Sequence, residues 1–152
     1  MRIWRIARPV WPPLAGEGAR RRGGRWNSPG NPVVYASERL SLAVLEVLVH
    51  VEADTVPPDL VSYEIDLPDD VPRETVNHHS LPAEWQDKPS HSASRALGDA
   101  WLMRADSVAL LVPSAVVPGE VNVLLNPRHP GAAVITVVRA LPFRFDLRLV
   151  RE

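Results

Sequence analysis

The stretch "VVYASERLSLAVLEVLVHV", Val33 to Val51, carries the clearest local signal in the chain. Val33–Ser37 is β-branched and aromatic, as a strand requires. Ser37 stands where an N-cap belongs, and Glu38–Val51 reads as the best helix candidate. At 100° per residue, Leu40, Val44, Val47, Leu48 and Val51 share one broad face, the expected core face. Arg39, Glu46 and His50 fall together, well away from its centre. Glu46 is therefore expected to face either solvent or a cleft.

The flanking sequence adds strands on both sides. "RIWRIA" (Arg2–Ala7) alternates and reads as a short strand ended by Pro9. Residues 8–32, with Pro12, Pro13 and five glycines, read as loop. "PDLVSYEIDLP" (Pro58–Pro68) alternates again. Residues 69–90 are expected to be irregular, with Pro72, Pro82 and Pro89. "SHSASRALGDAWLMRAD" (Ser90–Asp106) reads as a helix capped by Ser90. "SVALLVPSAVV" (Ser107–Val117) is a buried strand broken by Pro113. "VNVLLNP" (Val121–Pro127) is a short strand ending in the turn "NPRHPG". Ala132–Val150 supplies one or two closing strands. Strands and helices without strict βαβ alternation predict an α+β fold, a central mixed β-sheet flanked by helices, in one domain spanning 1–152.

Composition narrows the function classes. A chain of 152 residues can bury a substantial core, and 45% hydrophobic with 23% charged residues is ordinary for a globular chain. The net charge is −1, whereas a non-specific DNA binder is usually clearly basic. Positive charge is local instead. Arg2, Arg5, Arg8, Arg20, Arg21, Arg22 and Arg25 face a single acid, Glu17, within the first 25 residues. The absence of cysteine excludes disulfides, thiolate catalysis and Cys-ligated zinc. No apolar run is long enough to predict a membrane span, and the N-terminus carries no signal-peptide pattern, so a cytoplasmic location is expected.

Within "GARRRGGRWNSPG" (Gly18–Gly30), Arg25 differs from its neighbours. It follows two glycines and precedes a strand, where flexible backbone gives way to fixed geometry, and a guanidinium so held can grip a phosphate with two parallel bonds. Arg20–Arg22 cannot all point into one pocket and read as a solvated rim. Tyr35, in the following strand, is either a core residue or points toward the region of Glu46. Ser114, in "VPS", is either a strand-end hydrogen-bonder or part of a site. It lacks the Gly-x-Ser-x-Gly elbow of a hydrolase, and no well-placed His and Asp complete a triad. His50, His78, His79, His91 and His129 have no metal-binding spacing, so no metal is expected, and there is no Walker or dinucleotide glycine motif. Two non-catalytic readings stay open on these residues. The arginines with Trp11 and Trp26 could grip phosphates and stack bases, or the domain could serve only to bind a partner.

The order of "GGRWNSPGNPVVYAS", "LAVLEVLVHV" and "VALLVPSAVVPGEVNVLLNPRHPG" resembles the RES domain family, named for an Arg, a Glu and a Ser. The resemblance runs from "RIWRI" to near the C-terminus. It places the family arginine on Arg25, the tyrosine on Tyr35, the glutamate on Glu46 and the serine on Ser114. Asn126, in "LLNP", matches a further motif position, here a substrate-binding expectation. Nothing is carried over to residues 69–90. The resemblance implies a fold similar to the ADP-ribosyltransferase toxins. It also implies the toxin of a bacterial toxin–antitoxin pair that cleaves the nicotinamide–ribose bond of NAD⁺, with water, inorganic phosphate or a protein side chain as acceptor.

NAD⁺ is then the substrate and no other cofactor is implied. A helix-turn-helix antitoxin would block the cleft in a hetero-oligomer and supply any DNA contact. On this reading Arg25 meets a phosphate or ribose oxygen, Glu46 a ribose hydroxyl and the developing cation, and Tyr35 the nicotinamide. Ser114 meets the nicotinamide amide or the ribose.

Overall fold

In the computed structural model, which describes residues 1–52, 55–87 and 92–150, the alternation of "RIWRIA" becomes strand β1 (Arg2–Ala7) with Ile3 fully buried. β1 pairs antiparallel along its whole length with β3 (Val61–Asp66), from Arg2 opposite Asp66 to Ala7 opposite Val61. β3 in turn pairs with β7 (Thr136–Pro142), through a bulge beside Glu64 and Ile65. On the other side, β2 (Val34–Ser37) pairs with β6 (Val121–Leu125). β6 pairs with β5 (Ala109–Pro113), and β5 runs parallel to β4 (Arg73–Thr75). The resulting seven-stranded mixed sheet has the order β4-β5-β6-β2-β1-β3-β7.

The two halves of that sheet meet thinly. β1 and β2 share one pairing, Trp4 opposite Ser37. Arg5 reinforces this seam by donating from Nη1 to the Tyr35 carbonyl at 2.9 Å. Its guanidinium stands deep enough that burial lowers its pKa from the ordinary arginine value.

Side-chain parity divides the core. Ile3, Val34, Ala36, Tyr63, Ile65, Ala109, Val123 and Leu125 form one cluster on one face of the sheet. The opposite face carries two smaller clusters. Trp26, Val33, Trp85, Trp101, Leu110, Val112 and Leu124 pack beneath helix α3 (Ser92–Arg104). Ile6, Ala43, Leu60 and Phe145 pack beneath helix α2 (Leu40–Leu48). Between them runs a row of paired positions, Trp4–Ser37–Asn122–Val112, from β1 to β5. That row puts two polar side chains on the sheet between two apolar patches.

The fold is α+β with a mixed sheet, as the sequence predicts, and several local readings change. The expected loop 8–32 contains a short helix, α1 (Glu17–Arg22), between Gly16 and Gly23, both at positive φ. A side chain on Gly16 would meet the Val33 backbone nitrogen at 2.6 Å. The segment 69–90 is not wholly irregular, because Arg73–Thr75 forms β4 by pairing with β5. Three residues with no apolar alternation leave no pattern to read. The closing region supplies one strand, β7. The proposed cap Ser90 lies outside the described residues, and α3 is described from Ser92.

The largest correction concerns α2. Ser37 does not cap it. Its hydroxyl is turned to Asn122, and Arg39 occupies the N-cap position with no side-chain cap. The helix buries Leu42 and Ala43, with Val44, Val47 and Leu48 partly covered, while Leu40 is 39% exposed. The buried face is thus rotated by roughly a quarter turn from the purely apolar face. Glu46 follows Leu42 by four residues, so the two stand one above the other on the same side. The rotation turns Glu46 toward the sheet.

Candidate active site

Glu46 meets the polar row of the sheet. Ser114 Oγ donates to Glu46 Oε1 at 2.7 Å, and Asn122 Nδ2 donates to the same oxygen at 2.5 Å. The second carboxylate oxygen, Oε2, has no hydrogen-bond partner among the described residues. Ser114 is 1% exposed, and its own oxygen accepts from the backbone N–H groups of Val116 and Val117 at 3.0 and 2.9 Å. Its donor and its acceptor capacity are therefore both in use. The turn after β5 and the face of β6 together hold one edge of the Glu46 carboxylate and leave the other free.

Arg25 is held from several directions. Its backbone carbonyl accepts from Ser94 Oγ of α3 at 2.9 Å. The next N–H, that of Trp26, donates to the Tyr35 hydroxyl at 3.1 Å. The guanidinium donates from Nη1 to the Trp85 carbonyl at 2.7 Å and lies 5.8 Å from the centre of the Trp85 ring. These partners are neutral, so they orient the fork without cancelling its charge. Arg25 forms no ion pair among the described residues, whereas Glu17 takes Arg20 at 2.6 Å and Arg21 at 2.9 Å. Hydrogen bonds from Arg20 and then Arg21 hold the Glu17 carboxyl down at about 2. The rim arginines are thus partly neutralised, and Arg25 keeps its charge.

Tyr35 belongs to the support of this loop. Its hydroxyl accepts from Trp26 and donates to Asn27 Oδ1 at 2.7 Å, and burial pushes its pKa well above the usual phenol range. A side chain on Gly24 would meet the Tyr35 hydroxyl oxygen at 2.6 Å, so glycine there is what lets the loop lie against the ring. Asn27 is fully buried, and its amide donates to the carbonyls of Ala19, Ser28 and Asn31.

Helix α3 clamps the same loop. Asp99 accepts from the Ser28 backbone and hydroxyl and from Asn31 Nδ2. Burial would raise its pKa, but those hydrogen bonds and the charge of Arg95 outweigh it and leave the carboxyl below its usual range. Gly98 is needed for the close approach, since a Cβ there would fall 1.7 Å from the Trp26 carbonyl oxygen.

A cleft of about 510 Å³ opens beside Ser114, with Val112 in its wall and Thr75, His78, Gln86 and Glu120 around it. The segment 69–90, to which sequence reasoning carried no function, thus contributes three of these groups and the carbonyl anchor of Arg25. Asn126 stands apart. Its Oδ1 accepts from the Arg128 N–H at 3.0 Å, and its N–H donates to Val108. It lies four residues from Asn122, roughly 13 Å along the strand direction. The expected substrate-binding asparagine is engaged in shaping the turn after β6, and it is Asn122 that reaches Glu46.

The comparison with known proteins bears on this arrangement. The family model described as "RES domain" matches residues 2–146. The chain belongs to the RES domain family. Among similar proteins, the Prs ADP-ribosylating toxin of Sphingobium sp. (strain YBL2) is 36% identical, covering 99% of this chain and 97% of that one. The Toxin Res of Photorhabdus laumondii subsp. laumondii is 38% identical, covering 99% and 98%. The RES fold seen here also matches a chain in the crystal structure of the M. tuberculosis MbcT–MbcA toxin–antitoxin complex. The TM-score is 0.73 at 23% identity, over 93% of this chain and 83% of that one.

Sequence reasoning missed Ser37, Asn122 and the α3 clamp. Ser37 reads as a helix cap and Asn122 as an ordinary strand polar residue, and only the pairing of β2 with β6 makes them neighbours. Asp99 and Gly98 sit in a helix whose apolar pattern is weak.

Proposed function

We propose that this protein is the toxin of a toxin–antitoxin pair and that its activity is cleavage of the nicotinamide–ribose bond of NAD⁺. The observation that carries the reading is the half-buried Glu46 carboxylate, fixed through one oxygen and free at the other. In the cleavage the electron pair of the C1′–N bond leaves with the nicotinamide nitrogen, and positive charge develops at C1′. A fixed carboxylate stabilises that charge without reorganising as it forms. The free oxygen of Glu46 is also the acceptor that a ribose hydroxyl requires. Arg25, oriented but not neutralised, suits the pyrophosphate and keeps the reacting bond in place.

The acceptor oxygen then bonds to C1′. Water would give glycohydrolysis and inorganic phosphate phosphorolysis. The name of the Sphingobium relative favours a second reading, transfer of ADP-ribose to a protein side chain. The nucleic-acid alternative loses support, because Trp26 is 3% exposed and cannot stack on a base, while Arg21 lies over the Trp11 ring at 5.1 Å. Among the described residues no helix is long and apolar enough to cross a membrane.

The test is incubation of the protein with NAD⁺ alone, with inorganic phosphate, and with desalted bacterial extract, followed by product analysis. Released nicotinamide is expected, with free ADP-ribose, a phosphorylated ADP-ribose or labelled protein identifying the acceptor. Intact NAD⁺ in all three would sink the proposal. The antitoxin, on this reading, covers the Glu46–Arg25 face, and co-purified antitoxin should suppress the turnover.

A further inference from the structure

We infer that Asn122 is a positioning residue for Glu46, and that Ser37 sets the direction in which its amide points. The inference rests on the NAD⁺ reading above. Asn122 stands between two oxygen-bearing side chains. Ser37 Oγ lies 2.7 Å from Asn122 Oδ1, and Asn122 Nδ2 lies 2.5 Å from Glu46 Oε1. An amide has one accepting and one donating end. The carboxylate accepts only, so the NH₂ end must face Glu46, and the carbonyl end is left for a donor. Ser37 is that donor. The residue is 3% exposed and belongs to the same row of the sheet as Asn122.

The chain Ser37–Asn122–Glu46 therefore has a fixed polarity, donating toward the carboxylate at each step. It runs from the seam of the sheet to the one side chain that must hold its charge in place. Ser114 reaches the same oxygen from the other side, out of the turn after β5. With two donors from two separate elements on Oε1, the carboxylate plane is set and Oε2 is the edge presented outward. Asn122 does this with one amide N–H on Glu46 and its carbonyl taken by Ser37, so it acts on the reaction through the carboxylate. Sequence alone does not single it out, as the family's named letters pass it by.

The role makes an ordering that simple packing would not. Asp is nearly the same shape as Asn, so a residue that only fills space tolerates Asp better than Ala. A residue that donates to a carboxylate does not. In Asn122→Asp a second carboxyl would face Glu46, and the pair would either repel or share a proton. Loss of one hydrogen bond to a charged group predicts a fall in kcat of about ten-fold or more for Asn122→Ala. Asn122→Asp should fall further, by about a hundred-fold. KM for NAD⁺ should stay near the wild-type value in both.

The experiment is nicotinamide release from NAD⁺ in the presence of desalted bacterial extract, for wild type, Asn122→Ala, Asn122→Asp and Ser37→Ala, with thermal melting of each. A kcat order of wild type, then Ala, then Asp, at unchanged KM and in folded proteins, is the expected result. Ser37→Ala should lower kcat several-fold in the same sense, and it decides the matter if either Asn122 variant fails to fold. Asp equal to or better than Ala in kcat, or Ser37→Ala at wild-type kcat where it must decide, would overturn the role. A wild-type protein that leaves NAD⁺ intact removes the underlying reading and this role with it. An active wild type with an unaffected Asn122→Asp removes this role alone.

Discussion

Ser114 and Glu46, 68 residues apart in the chain, share a 2.7 Å hydrogen bond in which the serine donates and the carboxylate accepts. The serine oxygen accepts two backbone N–H groups in return, so the hydroxyl is a rigid strut between the turn after β5 and helix α2. Two of the three residues on which the resemblance places the Arg, Glu and Ser are thus in direct contact, and the third, Arg25, is fixed by α3 and by the carbonyl of Trp85.

Ser114→Ala should lower both activity and stability. Glu46 loses one of two donors, and the N–H groups of Val116 and Val117 lose their acceptor. A hydrogen bond to a charged group contributes about 1.5–3 kcal/mol, so a fall in kcat of roughly 10- to 100-fold is expected. Nicotinamide release and chemical denaturation measure the two effects. Ser114→Ala with kcat unchanged would mean that Asn122 alone is sufficient to hold the carboxylate.

Arg25→Lys should raise KM for NAD⁺ about ten-fold or more, because lysine keeps the charge but cannot bond Trp85 and a phosphate with one planar fork. Arg20→Ala and Arg21→Ala should change KM little, since both side chains are already committed to Glu17. The reverse ranking in steady-state kinetics would return the phosphate contact to the rim.

How much of this was legible in the sequence depends on whether the signal was local. β1, whose pattern repeats every second residue, matches its expected limits, and the cores of the other long strands fall within the expected segments. The family was legible from the order of the motifs. The packing face of α2 was not. Its apolar residues cover most of the helix surface, so the sequence has no unique stripe, and the polar row on the sheet decides which side turns inward. Ser37 shows the same effect. It has an N-cap's identity and position, but Asn122 across the strand pairing takes its hydroxyl. Asn126 lies in a motif just past β6, while Asn122, within β6, makes the contact with Glu46. β4 was missed because three residues acquire strand geometry only from β5.

Gly98→Ala should destabilise the protein by about 1–3 kcal/mol or more, as overpacking at a closed contact does. The added methyl would stand 1.7 Å from the Trp26 carbonyl oxygen, so α3 must lift away from the loop that holds Arg25. Urea denaturation gives the stability change. A variant as stable as wild type would show that α3 and the loop are not packed this tightly.

Acid should loosen the same clamp. The Asp99 carboxyl is lowered in the folded state relative to the unfolded chain, so folding favours its ionised form. That contribution is present in full above the ordinary carboxylate range and is lost as pH falls through that range to the lowered value. Asp99→Asn should therefore lower Tm at neutral pH and narrow the gap between variant and wild type at low pH. Equal Tm values at neutral pH would contradict the clamp.

The most direct measurement is NAD⁺ turnover by wild type and Glu46→Gln, with folding checked by thermal melting. Glutamine keeps an oxygen for Ser114 and Asn122, so the fold and the local hydrogen bonds should persist while the charge is lost. Nicotinamide release by wild type and a fall of about 10²–10³ in kcat for Glu46→Gln is the expected result. A folded Glu46→Gln protein that consumes NAD⁺ at the wild-type rate would contradict the account.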